Sequence, residues 1–164
     1  MTSYNTADLA QIKNIECFLL DMDGTIYLGD TVIDGTFDFL DILKKLNKKA
    51  MYITNNSSRA TIQYVEKLKR LGIHAKEEDF FTSVNALVYH LNKNHAGASL
   101  FLLGTPVLEE YLWENGFTII KEYYTEPDKR PDYVILAFDT TLTYEKLRIA
   151  CDYITDGVER SEEH

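Results

Sequence analysis

A short apolar run that stops abruptly at two acids and a glycine constrains this chain more than any other feature. In Glu16-Cys17-Phe18-Leu19-Leu20-Asp21-Met22-Asp23-Gly24-Thr25, the apolar stretch Cys17–Leu20 leads straight into Asp-x-Asp-Gly. Such a run fits a buried strand of a parallel sheet, and the acids and glycine mark the turn that follows it. A second short strand, Ala50-Met51-Tyr52-Ile53, ends comparably at Thr54-Asn55-Asn56-Ser57-Ser58-Arg59. Between them, Phe37, Leu40, Leu43 and Leu46 recur at helical spacing, with Lys44, Lys45, Lys48 and Lys49 suiting the C-terminal end. After the second strand, Ile62, Val65, Leu68 and Leu71 predict a helix that starts near Ser58 and stops at Gly72. Phe80-Phe81-Thr82 predicts a third strand, and Ser83 the cap of a helix bearing Leu87, Val88 and Leu91. Strands alternating with helices imply an α/β fold: a doubly wound parallel, Rossmann-like sheet, present here in part.

The polar connector Asn92-Lys93-Asn94-His95-Ala96-Gly97 predicts a division into residues 1–95 and an α/β module over 96–164. In the second module Ser99–Leu103 reads as a strand, Thr105 as a helix cap, Pro106 as a first helical residue and Gly116 as a stop. Tyr133–Phe138 predicts another strand, and Tyr144, Leu147, Cys151 and Ile154 the buried stripe of the last helix. No strand is predicted to position Glu159, Glu162 or Glu163 in the tail. Cys17 and Cys151 read as small core residues, and their wide separation argues against a disulfide framework. With 17 Lys plus Arg against 26 Asp plus Glu, a net charge of −9 argues against nucleic-acid or anionic-membrane partners. No apolar run approaches membrane-spanning length, and Met1–Asn5 lacks signal-peptide character, so a cytoplasmic location is expected.

Ligands of open parallel sheets bind beyond the carboxyl ends of the strands, where Asp21 and Asp23 fall. Two residues apart on an extended backbone, their side chains point the same way. Adjacent carboxylates repel unless a cation lies between them or one holds a proton, and hard oxygen ligands of this kind suit Mg²⁺. Gly24 permits a sharp turn and can offer its N–H to an oxyanion. The bland alternative is an acidic turn without chemistry, and for Thr54–Arg59 a helix cap alone. His74, His90, His95 and His164 show no metal-ligand spacing.

The string Asp21-Met22-Asp23-Gly24-Thr25, followed at the end of the next strand by Thr54-Asn55-Asn56-Ser57-Ser58-Arg59, resembles the first two motifs of the haloacid dehalogenase-like hydrolases. It is most similar to the branch of NagD-like and p-nitrophenylphosphatase-like enzymes, whose cap follows the second motif. The resemblance implies Mg²⁺-dependent hydrolysis of a small phosphorylated metabolite. Asp21 would be the nucleophile and a metal ligand. Asp23 would be the general acid and base, its backbone carbonyl a second metal ligand. Gly24, Thr54, Asn55 and Asn56 would bind the phosphoryl group.

The family's third-motif lysine and fourth-motif acids have no counterpart in this sequence, which suggests a truncated chain with absent or strongly impaired activity. Cys17–Leu20 would then form an exposed apolar edge open to self-association. Two further classes stay open: a non-catalytic protein that binds metal or phosphate, and a phospho-accepting receiver.

Overall fold

The computed structural model describes residues 13–162. The run at Cys17–Leu20 is indeed a strand, β1 (Cys17–Asp21), followed by a small antiparallel hairpin, β2 (Tyr27–Leu28) and β3 (Thr31–Val32). Helix α1 (Thr36–Lys45), strand β4 (Lys49–Thr54), helix α2 (Thr61–Arg70), strand β5 (Phe80–Thr82) and helix α3 (Ser83–Asn94) complete the first half. The second half runs β6 (Ser99–Leu103), α4 (Pro106–Glu114), β7 (Thr118–Ile120), β8 (Tyr133–Leu136), α5 (Tyr144–Thr155) and β9 (Glu159–Glu162). Both larger sheets are parallel throughout, ordered β1-β4-β5 and β7-β6-β8-β9. The fold is α/β and Rossmann-like, as the alternation predicts. Met1–Asn5, Glu163 and His164 lie outside the described residues. No helix among the described residues is long and apolar enough to cross a membrane.

Parallel pairing places Leu20 beside Tyr52 and Tyr52 beside Phe80, so these three share one side of the first sheet. There they join Met22, Ile26, Tyr27, Tyr64 and Leu68 in a buried cluster. Leu19, Met51, Ile53 and Phe81 occupy the opposite side, where Leu19 is 63 % and Phe81 48 % exposed. Among the described residues β1 pairs only with β4, so it is a sheet edge with one open face. Cys17 shares that open side and is exposed, which corrects its reading as a core residue. Helix α3 packs Val84, Leu87 and Leu91 with Leu100, Leu102, Leu108 and Leu112 of the second half.

Several helical faces differ from those predicted. On α1, Leu43 is buried but Phe37 rests at the rim against Gly72, and Leu46 lies past the last turn as the C-cap. On α2 the buried face is Tyr64, Lys67 and Leu68, while Ile62 is exposed. On α5 it is Ile149, Ala150 and Tyr153, leaving Tyr144, Leu147 and Cys151 outward. Polar anchoring explains the last rotation: Tyr153 donates its hydroxyl to the Glu122 carbonyl at 2.7 Å. Apolar periodicity alone does not register such a bond. Thr82, not Ser83, caps α3, because its Oγ1 accepts the Asn85 N–H. The tail is not structureless: β9 pairs with β8, Tyr133 opposite Glu159. Its Glu-Arg-Ser-Glu sequence carries no hydrophobic signal, since an edge strand is held by backbone pairing.

Asp139 illustrates a charge held for structure. Its side chain is 2 % exposed and lies 2.9 Å from Lys146 Nζ. Its Oδ1 accepts from the Thr141 N–H and Oγ1, both at 2.7 Å, and Lys146 also donates to the Gly104 carbonyl. Burial opposes ionisation, but the Thr141 and Lys146 hydrogen bonds together hold the Asp139 carboxyl below its ordinary range. A depressed folded-state pKa adds stability that is complete above the ordinary value of 3.8 and vanishes as pH falls through the folded value. Asp139→Ala should therefore cost about 1–2 kcal/mol at neutral pH by leaving the Thr141 donors and Lys146 without their carboxylate. It should also lessen the fall in stability on acidification below about pH 4, as measured by denaturant melts across pH.

Candidate active site

The acidic motif turns sharply because one carbonyl takes several donors. Met22 O accepts the amides of Thr25, Ile26 and Tyr27 at 3.2, 2.9 and 3.2 Å, and Gly24 N–H donates to Tyr27 O at 2.7 Å. Gly24 sits at φ +84°, a conformation in which side-chain-bearing residues are strained, so glycine is required there. Its N–H, read from sequence as an oxyanion donor, closes this turn instead.

Asp21 ends β1, is exposed, and accepts a hydrogen bond from Thr25 Oγ1 at 3.2 Å on Oδ2. Asp23, with a side chain 55 % exposed, accepts from the Tyr27 hydroxyl at 3.3 Å on Oδ2. Its Oδ1 lies 3.8 Å from Lys67 Nζ, whose own side chain is only 11 % exposed. The same ammonium stands 3.8 Å from the centroid of the Tyr27 ring. Burial, followed by the nearby Asp23 charge, pushes the Tyr27 hydroxyl far above its ordinary pKa, so it remains a donor. Lys67 was missed in the sequence, where it reads as one of several lysines on α2. Its signal is position: with Tyr64, Leu68 and Leu71 it follows helical spacing on the core-facing side.

The second loop begins where β4 ends. Asp21 is in register with Ile53, so Thr54 lies one residue further along the neighbouring strand. Thr54 is buried, and its Oγ1 accepts the Asn56 N–H at 3.2 Å. Asn55 is exposed. Asn56 Oδ1 accepts the Ser58 N–H at 3.0 Å and the Ser58 hydroxyl at 2.7 Å, and its carbonyl accepts from Tyr64 at 2.8 Å. Burial raises the Tyr64 pKa, keeping that hydroxyl a donor. The second sheet holds this loop as well: Thr105 Oγ1 donates to Ser58 O at 3.3 Å and Phe138 N–H to Ser57 Oγ at 2.9 Å. The helix itself begins later than predicted, with Ala60 as N-cap, because residues 55–59 are spent on this turn.

Asp21 and Asp23 supply hard oxygen donors of the type Mg²⁺ takes, and Mg²⁺ commonly keeps waters beside one or two carboxylates. Among the described residues they are joined by no third acidic, histidine or cysteine residue in a metal-holding group. A groove of about 460 Å³ lies elsewhere, lined by Phe37, Lys49, Gly72 and His74, at the N-terminal end of β4.

Comparison with known proteins identifies the family of the chain. A family model for haloacid dehalogenase-like hydrolases matches residues 18–118. An acid sugar phosphatase of Staphylococcus aureus (strain USA300) is 36 % identical over 89 % of this chain and 54 % of its own length. A 4-nitrophenylphosphatase structure from Thermotoga maritima is 38 % identical at a TM-score of 0.84, covering 93 % of this chain and 56 % of that one. A glycerol phosphate phosphatase from Mycobacterium tuberculosis, solved with magnesium, gives a TM-score of 0.79 at 25 % identity, covering 93 % of this chain and 45 % of that one. The chain thus spans about half the length of the relatives it matches. With the family model covering more than half of the sequence, and both strand-end loops inside the matched segment, the chain belongs to the haloacid dehalogenase-like hydrolases, in their NagD- and p-nitrophenylphosphatase-like branch.

Proposed function

We propose that this chain acts in the hydrolysis of small phosphomonoesters through an aspartyl-phosphate on Asp21. The observation that carries the reading is an exposed Asp21 carboxylate at the end of β1, beside the end of β4 that bears Thr54. The names of the relatives, an acid sugar phosphatase and a glycerol phosphate phosphatase among them, support a small phosphorylated metabolite as substrate.

In this mechanism an Asp21 oxygen attacks phosphorus in line with the leaving oxygen. The bond from phosphorus to that oxygen breaks, and a protonated Asp23 gives its proton to the departing alkoxide. Asp23, now a carboxylate, takes a proton from water as the water oxygen attacks the phosphoryl group. The Asp21–phosphorus bond then breaks, restoring both acids and releasing phosphate. Such transfers depend on positioning and on donors around the equatorial oxygens. Thr54 Oγ1 accepts from Asn56 and its hydroxyl neighbours Tyr64, from which its O–H would turn to a phosphoryl oxygen when substrate binds. Asn55 and the Nδ2 of Asn56 would add donors, the latter oriented by the bonds from Ser58 to Oδ1. Gly24 would contribute by allowing the turn that carries Asp23 past Asp21. Mg²⁺ bound by the Asp21 carboxylate and the Asp23 carbonyl would neutralise charge on the phosphoryl oxygens.

A second reading is a non-catalytic protein that holds metal or phosphate at the same loops. It is favoured by the lack of a third metal-holding side chain beside Asp21 and Asp23 among the described residues. For the same reason turnover by the 164-residue chain should be slow. An aryl phosphate assay with Mg²⁺, run beside metal and phosphate titrations, separates the two. Turnover supports hydrolysis, and saturable binding without turnover supports the second reading.

The division at residues 95/96 and a cytoplasmic place of action belong to the same proposal. So does self-association through β1, whose free edge and exposed Leu19 offer both backbone pairing and apolar contact. Leu19→Lys should shift the chain toward monomer in light scattering at a concentration where the unsubstituted chain associates. A clean monomer without the substitution would remove this part.

A further inference from the structure

We infer that Lys67 and Tyr27 form a clamp that aims the Asp23 carboxylate, making both positioning residues for proton transfer to the leaving group. The inference rests on the role proposed above for Asp23. Lys67 lies on a helix that faces the first sheet, among Tyr27, Tyr64 and Leu68, where an ammonium has lost most of its water. Burying that charge is costly unless partners replace the hydration. Two such partners are on hand, the Tyr27 ring face at 3.8 Å and Asp23 Oδ1 at 3.8 Å. The third contact closes a triangle: the Tyr27 hydroxyl donates to the other carboxylate oxygen, Oδ2, at 3.3 Å. One Asp23 oxygen thus accepts a hydrogen bond from Tyr27 and the other faces the Lys67 ammonium as an ion pair, with both partners anchored in the core.

A core-filling lysine would need none of this, since a leucine or methionine fills the same space at no cost of desolvation. The Tyr27 backbone belongs to the turn as well, because its carbonyl accepts from Gly24 N–H at 2.7 Å. The residue that points Asp23 is thus tied to the loop carrying it. Asp21, which accepts from Thr25, lies outside the triangle. The clamp bears on the acid and not on the nucleophile.

The roles differ in how they respond to the leaving group. An aryl phosphate releases a weakly basic phenoxide that needs little help from an acid, whereas an alkyl phosphate needs a proton as its bond breaks. Lys67→Met keeps length and apolar bulk, and Tyr27→Phe keeps the ring while removing the hydroxyl. For both, kcat/KM, which reports transfer to Asp21 and not the later attack of water, should fall about 10- to 100-fold on an alkyl phosphate such as glycerol phosphate and by less than about 3-fold on an aryl phosphate. Equal losses of kcat/KM on the two substrates would overturn the clamp. Crystal structures of the two variants provide a readout that needs no turnover. Asp23 should rotate out of its present orientation in Lys67→Met and lose its fixed Oδ2 in Tyr27→Phe; an unmoved, equally ordered Asp23 in both would also overturn it. If the unsubstituted chain hydrolyses neither substrate, the hydrolase reading fails, and the structures alone decide the clamp.

Discussion

With asparagine at position 21, any hydrolysis of an aryl phosphate by this chain should fall to background, each tenfold lost being ~1.4 kcal/mol of barrier. Asparagine occupies the same space but offers phosphorus no anionic oxygen, so the covalent step has no nucleophile. The fold should not respond. Asp21 is exposed, and its bond from Thr25 can be accepted by the amide oxygen that replaces Oδ2. Thermal melting of the two proteins should agree to within about 0.5 kcal/mol, which separates lost chemistry from lost structure. Rates comparable to the unsubstituted chain would rule out the Asp21 mechanism.

The largest effect on stability is expected from Leu100→Ala. Leu100 lies in β6, an interior strand of the second sheet, and is fully buried among Leu87, Leu102 and Leu112. Removing its branch loses both transfer energy and packing around the void, about 3–5 kcal/mol in denaturant melts. Leu19→Ala deletes the same atoms from β1, yet Leu19 is 63 % exposed and should lose less than about 1 kcal/mol. The contrast measures how far each strand of this chain is inside. Similar losses at both positions would mean that β1 is covered in solution, for instance by a second copy of the chain.

Sequence reading succeeded where one local rule dominates. β6 and the Thr105-Pro106 start of α4 match the expectation because cap chemistry and an apolar run act within a few residues. The strand ends bearing Asp21 and Thr54 were legible for the same reason. Faces were less so. Tyr153 bonds the Glu122 carbonyl and Lys67 faces Asp23 from inside the core, partners far away along the chain. β9 was invisible because its pairing with β8 is a backbone matter. At the candidate site, the residues following each strand could be named, but not their mutual commitments. That Gly24 donates to Tyr27, and Asn56 accepts from Ser58, depends on turns whose shape no spacing rule specifies.

The bonds from Thr105 to Ser58 and from Phe138 to Ser57 carry a mechanical consequence. They leash the loop after β4 to a sheet formed by the other half of the chain, so neither can swing without pulling its companion. A tilt of that sheet reaches the Thr54 hydroxyl as a displacement of its own loop. Any molecule that wedges the halves apart would loosen this loop without touching it, and one that draws them together would stiffen it.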